Sequence, residues 1–186
     1  TAVARKENIG KFYVLSAHKL MQPVMEAVHG GGTALDGFIC PGHVAAITGS
    51  GIFDFLPEKH GIGCAIAGFE PTDILQSVLM LVRQVNLKSP SVEIAYTRVV
   101  NAGGNRIALK AMSEVFEPCD TSWRGFGRIA ASGLKLREEF AGFDAERRMP
   151  VEIPQGIENP ACICPDILRG LMKPCECTLF GKGCTP

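Results

Sequence analysis

The stretch GIGCAIAGF, residues 61–69, decides the fold class of this chain. It is nearly all apolar, which is typical of a β-strand that is buried on both faces of a sheet. The segment PTDILQSVLMLVRQV, residues 71–85, follows directly. Its apolar residues recur at helical spacing, and they are Ile74, Leu75, Val78, Leu79, Leu81, Val82 and Val85. A buried strand followed by a helix is the repeating unit of a parallel α/β sheet.

The same alternation continues on both sides of this unit. Three more strands are predicted, at KFYVLS (11–16), LDGFIC (35–40) and SVEIAY (91–96). Three more helices are predicted, at PVMEAV (23–28), at the start of HVAAITGSGIFDFL (43–56) and at NRIALKAMSEVF (105–116). This order predicts an α/β fold, a parallel sheet flanked by helices with right-handed crossovers.

The alternation ends at EPCDTSWRGFG, residues 117–127. The next stretch, residues 128–148, predicts one short strand and a charged helical piece, and residues 150–160 contain three prolines and read as an extended connector. We therefore predict an α/β domain over residues 11–148 and a small, irregular, cysteine-rich C-terminal appendage over residues 149–186.

Composition narrows the classes of function. Lys+Arg and Asp+Glu balance at 19 each, and no basic run occurs, so neither nucleic acid nor a membrane is expected as a partner. No apolar run is long enough to span a bilayer, and no signal-peptide pattern is present. A cytoplasmic location is therefore expected, and in a reducing cytosol clustered cysteines typically bind metal or perform redox chemistry.

Polar residues follow the predicted strands, at the edge where parallel sheets bind ligands. They are His18, His43, Glu70 and Arg98, each shortly after a strand. Each also has a purely structural interpretation. The dipole of the helix that follows would favour the Glu70 carboxylate at its N-terminus. His43 would hydrogen-bond backbone groups in its own turn, and Arg98 would pair with a neighbouring carboxylate. No complete nucleotide-binding glycine motif occurs, so no nucleotide cofactor is predicted.

The tail CICPDILRGLMKPCECTLFGKGCTP, residues 162–186, holds five of the eight cysteines, namely Cys162, Cys164, Cys175, Cys177 and Cys184. Closely spaced thiolates bind soft or borderline metals. The spacing favours an iron–sulfur site over structural zinc or metal-free thiols, although it matches neither the zinc-ribbon nor the bacterial ferredoxin pattern. Cys40 and Cys64 lie in apolar strands and are predicted to be small buried hydrophobes. Cys119 has no assigned role.

This tail resembles the C-terminal iron–sulfur motif of the hydrogenase maturation protein HypD family. The resemblance runs in order from Phe12 to the last residue. It continues through SAHKLMQPVMEA, DGFICPGHVAAITG, AGFEPTDILQ, VEIAYTRVV, VFEPCDTSWRGFG and SGLKLREEFAGFDAERR. Several of these motifs are long and unusual, so chance similarity is a poor explanation.

The resemblance implies a scaffold for assembling the iron centre of nickel–iron hydrogenases, with its cyanide and carbon monoxide ligands. It implies HypC-type and HypE-type partners and a [4Fe–4S] cluster that supplies electrons for cyanide transfer, an accessory redox role rather than an enzyme activity. The cluster thiols would be Cys162 and/or Cys164, then Cys177 and Cys184, and these residues would be the metal ligands. Cys175 stands where the family pattern usually has no cysteine, so it is predicted to be a bystander.

The family's chains are roughly twice as long, and the iron-carrying thiol of their first domain has no counterpart here. We therefore expect a fragment, consisting of the second α/β domain and a truncated iron–sulfur cluster domain. Two alternatives stay open. One is a stand-alone α/β small-molecule enzyme with a structural metal site in the tail, and the other is an interaction module without chemistry.

Overall fold

The computed structural model describes residues 1–149 and 159–184. The chain divides into two compact units, Leu35–Ala111 and a second unit formed by Thr1–Ala34 with Met112–Pro186. The first is called the sheet unit below and the second the hairpin unit. The predicted boundary near residue 148 adjoins the undescribed residues 150–158, which hold most of the predicted connector, and it stays a prediction.

The α/β fold class is confirmed by a parallel three-stranded sheet and its helices. The strands are β1 (Gly37–Pro41), β2 (Gly63–Ala67), β3 (Val92–Ile94), β4 (Phe116–Trp123) and β5 (Gly127–Leu136). The helices are α1 (Ala2–Lys6), α2 (Met21–Gly30), α3 (Gly42–Thr48), α4 (Phe55–His60), α5 (Pro71–Leu87), α6 (Arg106–Val115), α7 (Ala145–Arg148) and α8 (Cys164–Leu168). Short 3-10 helices occur at Ser50–Phe53, Glu138–Phe143 and Pro174–Glu176. Every helix in the described part of the chain is too short or too polar to span a bilayer.

Strand β2 lies in the middle of the sheet, between β1 and β3. All five of its residues are buried, as its apolar sequence predicted. Cys40 and Cys64 are almost completely buried, which confirms that they belong to the core. A hydrogen bond with the Cys64 thiol, together with burial, raises the pKa of Cys40 far above the ordinary value of a thiol. These two cysteines therefore act as small core residues.

Helix α5 forms where the apolar spacing predicted it, but most of its apolar side chains do not face the core. Six of them are exposed, namely Ile74, Leu75, Val78, Leu79, Val82 and Val85. The buried positions are polar, namely Asp73, Ser77 and Gln84. Each of these three has a hydrogen-bond partner, as buried polar groups require. The helix thus presents an apolar surface outward and contacts the sheet through satisfied polar groups.

A charged substitution on α5 tests this orientation. Val82→Asp is expected to change the free energy of unfolding by less than about 1 kcal/mol, because Val82 is 50% exposed. Ala65→Asp, in the middle of β2, is expected to cost at least about 3 kcal/mol, because it buries a charge at a fully buried position. Urea unfolding followed by circular dichroism measures both. Equal destabilisation by the two variants would show that α5 is covered after all.

The prediction of a first strand at residues 11–16 is wrong. Only Val14 pairs, through a single parallel bridge with Asp144. Val14 donates its N–H to the carbonyl of Phe143 at 2.8 Å, and its carbonyl accepts the N–H of Ala145 at 2.9 Å. Residues before and after Asp144 belong to helical turns, so they offer no second extended residue to pair with. The apolar side chain of Val14 packs instead against a small core of Val115, Leu136 and Phe140.

The hairpin unit takes its name from the antiparallel pair β4 and β5. The predicted short strand in residues 128–148 is confirmed as β5, and the charged piece after it becomes the 3-10 helix Glu138–Phe143 and α7. Strand β4 was not predicted because Pro118 and Asp120 are poor strand formers. A register shift between Cys119 and Thr121 accommodates them. Helix α2 packs on β5.

Candidate functional site

Two groups of predicted site residues occupy defined places in the structure. His43, Glu70 and Arg98 lie at the carboxyl ends of the three parallel strands, because β1 leads into α3, β2 leads into α5 and β3 leads into the turn that holds Arg98. His18 belongs to the hairpin unit. There its ring contacts Phe116 edge-on at 5.0 Å between centroids, and its Nδ1 lies 3.0 Å from the Ser16 hydroxyl.

Arg98 is held by two carboxylates. Its Nη1 and Nη2 donate to Oδ1 and Oδ2 of Asp73 at 2.9 and 2.8 Å, the bidentate geometry that suits a guanidinium. Nη2 also lies 3.1 Å from Oε1 of Glu70. The hydrogen bonds from Arg98 hold the pKa of the buried Asp73 carboxyl below its ordinary value. The pairing anticipated for Arg98 is therefore present, and its main partner is Asp73, which was not predicted.

Asp73 had one signal in the sequence. It lies in the first turn of α5, where the helix dipole favours a carboxylate. It also follows Glu70 by three residues, and residues three apart lie on the same face of a helix. His43 stacks on Phe69, with 5.1 Å between ring centroids and 27° between the ring planes. Phe69 is 80% exposed and also escaped prediction. The strand ends thus carry an arginine–carboxylate pair beside a histidine–phenylalanine stack.

Arg98→Gln should destabilise the sheet unit in a pH-dependent way. The folded-state pKa of Asp73 is lowered, so this pair contributes stability above the ordinary pKa of an aspartate, about 4, and loses it as pH falls through the folded value. At pH 7 we expect Tm to fall by several degrees in Arg98→Gln. The difference from the wild type should shrink as pH is lowered below about 4. Thermal melts across this pH range measure it, and a difference independent of pH would contradict the assignment.

In the cysteine tail, the thiols of Cys162 and Cys164 are in contact. Hydrogen bonds from the backbone N–H and the thiol of Cys164 lower the pKa of Cys162 most. The positive charge of Arg124 lowers it further. The hydrogen bond with Cys162 raises the pKa of Cys164. The charge of Cys184 also raises the pKa of Cys164 slightly.

The tail docks on the turn of the β4–β5 hairpin. Gly125, in that turn, packs so closely on Pro165 that a Cβ there would lie 2.6 Å from the Pro165 ring. The guanidinium of Arg169 lies over the ring of Phe126, 5.2 Å from its centroid. The Arg169 carbonyl accepts hydrogen bonds from the Thr33 hydroxyl and the Ala34 N–H, both at 2.9 Å. These contacts position the first pair of cysteines beside the hairpin turn.

The second half of the tail forms a tight loop. Cys184 donates its N–H to the carbonyl of Leu179 at 2.9 Å and accepts the N–H of Gly181 at 3.0 Å, which closes the loop. The carbonyl of Cys177 accepts the N–H of Phe180 at 3.1 Å. Cys175 is exposed. Cys119 is half-buried on β4.

The donor chemistry of the tail fits an iron–sulfur cluster, since thiolates are the ligands such clusters use. Within residues 1–149 and 159–184, however, no three Cys, His, Asp or Glu side chains are grouped closely enough to hold a metal ion. The described residues therefore supply two thiols that hydrogen-bond each other, those of Cys162 and Cys164. The described residues do not form a complete metal site, so the roles of Cys162, Cys164, Cys177 and Cys184 as ligands stay predictions.

Comparison with known proteins gives the family. The HypD family model, described as "Hydrogenase formation hypA family", matches residues 1–186. The hydrogenase maturation factor HypD of Azotobacter vinelandii is 44% identical over 190 residues, covering 98% of this chain and 50% of the relative. HypD of Rhodobacter capsulatus is 40% identical, with 98% of this chain and 50% of the relative covered. Hydrogenase maturation factor HypD1 of Bradyrhizobium diazoefficiens is 47% identical over 84% of this chain and 41% of the relative.

The chain spans about half the length of the curated relatives that it matches. The match nevertheless covers both compact units and the cysteine tail, since the family model includes every residue of the chain. The resemblance noted in the sequence is thereby confirmed, and the chain belongs to the HypD family of hydrogenase maturation factors.

Proposed function

We propose that this chain is part of a scaffold that supports assembly of the iron centre of a nickel–iron hydrogenase, with its cyanide and carbon monoxide ligands. The observation that carries the proposal is the cysteine tail docked on the hairpin turn, in a chain that belongs to the HypD family. A tail with four candidate thiolate ligands and a nearby cation suits a redox centre better than a core element.

The proposed cofactor is a [4Fe–4S] cluster in the full-length protein, held by Cys162 and/or Cys164, Cys177 and Cys184. When bound, such a cluster would pass on electrons one at a time, and two of them would cleave the S–C bond of a thiocyanate-like group on a HypE-type partner to give a thiolate and cyanide. The hydrogenase iron itself would be carried at a thiol outside this chain. The role is accessory redox support within a complex that also includes a HypC-type partner, and the proposed location is the cytoplasm.

The strand-end residues are proposed to face the cleft in which the iron centre is assembled. His43, Glu70 and Arg98 are gathered at one edge of the sheet. His18, in the hairpin unit, is proposed for the same function on the resemblance alone. Arg98 offers a guanidinium held in place by Asp73 and Glu70, and His43 offers a ring nitrogen that can take part in a hydrogen bond. Neither nucleic acid nor a membrane is proposed as a partner.

A stand-alone enzyme would place its ligand cavity at these same strand ends. A cavity of about 320 Å³ in the sheet unit lies at the opposite ends of the strands, where Asp36, Gly63 and Gln84 line it. This position gives the enzyme alternative no specific support, so the scaffold is preferred.

Metal analysis tests the proposal. Iron, labile sulfide and zinc are measured in the 186-residue chain and in the native full-length protein, both prepared without oxygen. Equal amounts of iron and sulfide in the full-length protein are expected. Zinc alone, or no metal in either preparation, would make the tail structural and would remove the electron-transfer role.

Glu70→Gln separates the strand-end site from the cluster. This variant removes one charge beside Arg98 but leaves the bidentate Asp73 pair, so the fold should be retained. We expect a partial loss of hydrogenase maturation in cells, with unchanged cluster absorbance in the purified protein. Loss of the cluster in Glu70→Gln would show that the role given to Glu70 is wrong.

A further inference from the structure

Helix α5 carries an apolar face that points away from the sheet. Six side chains form this face, and each is between 38% and 68% exposed, namely Ile74, Leu75, Val78, Leu79, Val82 and Val85. They are called the apolar face of α5 below. Arg83 is the only charged residue between Ile74 and Leu87. A continuous apolar surface of this kind is rare on a free protein surface and typically marks a contact with another protein segment.

The opposite side of α5 already has its partners. Asp73, Ser77 and Gln84 are buried and recur at helical intervals, so they lie along one side of the helix. With about 3.6 residues per turn, the apolar face lies on the other side. Asp73 binds Arg98, and Gln84 donates to the Glu93 carboxylate at 2.6 Å. The polar side therefore holds α5 in place and leaves the apolar face outward.

The spacing within the apolar face is that of a helix-packing seam. Leu75, Val78, Val82 and Val85 are separated by three, four and three residues, the alternation with which one α-helix packs along another. The seam is about 15 Å long at 1.5 Å per residue. Scattered apolar side chains on a free surface would show no such order, so the pattern indicates a segment that packs along α5.

The size of the relatives indicates which segment this is. The match covers 98% of this chain but only 50% of the HypD proteins of Azotobacter vinelandii and Rhodobacter capsulatus. Each relative therefore holds about as many residues again outside the matched region. A segment of the same polypeptide has a high effective concentration, whereas a second copy or a separate partner bears the full entropic cost of association. A face without charge also suits a permanent contact better than a transient one.

We propose that, in the native full-length protein, the apolar face of α5 is an internal packing surface covered by the part of the protein that lies outside these 186 residues. This inference goes beyond the proposed function and depends neither on the cluster nor on a role in maturation. It concerns the contact that joins the two parts of the protein. It predicts that the apolar face is protected from solvent in the full-length protein when no partner is present.

The test measures how fast a thiol on α5 reacts with a maleimide in the purified native full-length protein and in the 186-residue chain. Val82→Cys and Val78→Cys place a thiol on the apolar face. Gln76→Cys is the matched control, because Gln76 is exposed on the same helix but lies outside that face. Peptide mass spectrometry separates the introduced thiol from the native ones. The fully buried Cys64 should stay unlabelled throughout, which reports that the sheet unit is folded.

In the full-length protein, we expect Val82→Cys and Val78→Cys to react at least about tenfold more slowly than Gln76→Cys, because labelling then requires a local opening of the contact. This protection should persist when the protein is diluted. In the 186-residue chain, where the covering part is missing, all three thiols should react at similar rates.

Equal rates for the three variants in the full-length protein would overturn the inference, since the face would then be free. Protection that is lost on dilution, or that the 186-residue chain already shows together with a dimeric mass by light scattering, would assign the face to a second copy and would also overturn it. Protection that appears only after a separate maturation protein is added would assign the face to that partner instead. None of these outcomes changes the iron and sulfide content, so the proposed function is tested separately.

Discussion

Cys184→Ala in the native full-length protein is expected to lose the iron and sulfide of the proposed cluster, and hydrogenase maturation should fall to background. The change removes one thiolate from the neighbourhood of Cys164. It leaves the backbone hydrogen bonds that close the loop, from Cys184 to Leu179 and from Gly181 to Cys184. The tail should therefore keep its local fold, so that the effect reports on the metal site. Cys177→Ala is expected to behave in the same way.

Cys175→Ala is the matched control for these variants. Cys175 is exposed and stands in the same tail, between the two proposed pairs of ligands. It should keep the cluster and support maturation at the wild-type level. Iron and sulfide assays, visible absorbance and hydrogenase activity in complemented cells measure all three variants. Normal hydrogenase activity with Cys184→Ala would contradict the cluster assignment, and loss of the cluster in Cys175→Ala would mean that the ligand set is wrong.

Gly49→Ala is expected to unfold or severely destabilise the sheet unit, by about 3 kcal/mol or more. Gly49 ends helix α3 with φ +84° and ψ 165°, a combination that is essentially restricted to glycine. A Cβ there would lie 2.2 Å from the carbonyl oxygen of Ala102, and backbone atoms cannot move aside as a side chain can. Strain and overlap act together on a total stability that is commonly only about 5–15 kcal/mol.

Gly103→Ala is the control for the steric argument. It lies in the loop that faces Gly49, but an added Cβ would meet only the Asn101 side chain, at an ordinary contact distance of 3.8 Å. Its free energy of unfolding should stay within about 0.5 kcal/mol of the wild type. Urea unfolding by circular dichroism measures both variants. A stable Gly49→Ala would show that the contact with Ala102 is looser than the structure has it.

Most of the sheet unit could be predicted from the sequence. Strand β2 and helix α5 carry patterns that depend on neighbouring residues alone, a continuous apolar run and a helical apolar spacing. Strand β4 could not be predicted, because its pairing with β5 overrides the poor strand propensity of Pro118 and Asp120. The error at residues 11–16 has the same origin. An apolar run indicates a strand, yet only an extended partner of matching length can make it one, and Asp144 is a single residue.

The residues of the candidate site were also predicted only in part. The order of strands along the chain was enough to predict that His43, Glu70 and Arg98 would meet at one edge, because parallel strands end on the same side of a sheet. Asp73 and Phe69 were missed. Each gains its importance from a partner distant in sequence or from a face of the structure that no local pattern reveals.

By itself, the sequence determined the α/β class, the positions of the main helices, the concentration of thiols at the end and the membership of the HypD family. These properties follow from local spacing and from residue identity. The tertiary structure alone decided which face of α5 is buried, that Arg98 pairs with Asp73, and that the cysteine tail packs on the hairpin turn. The physical reason is that burial and charge pairing depend on distances in space, which long-range packing sets.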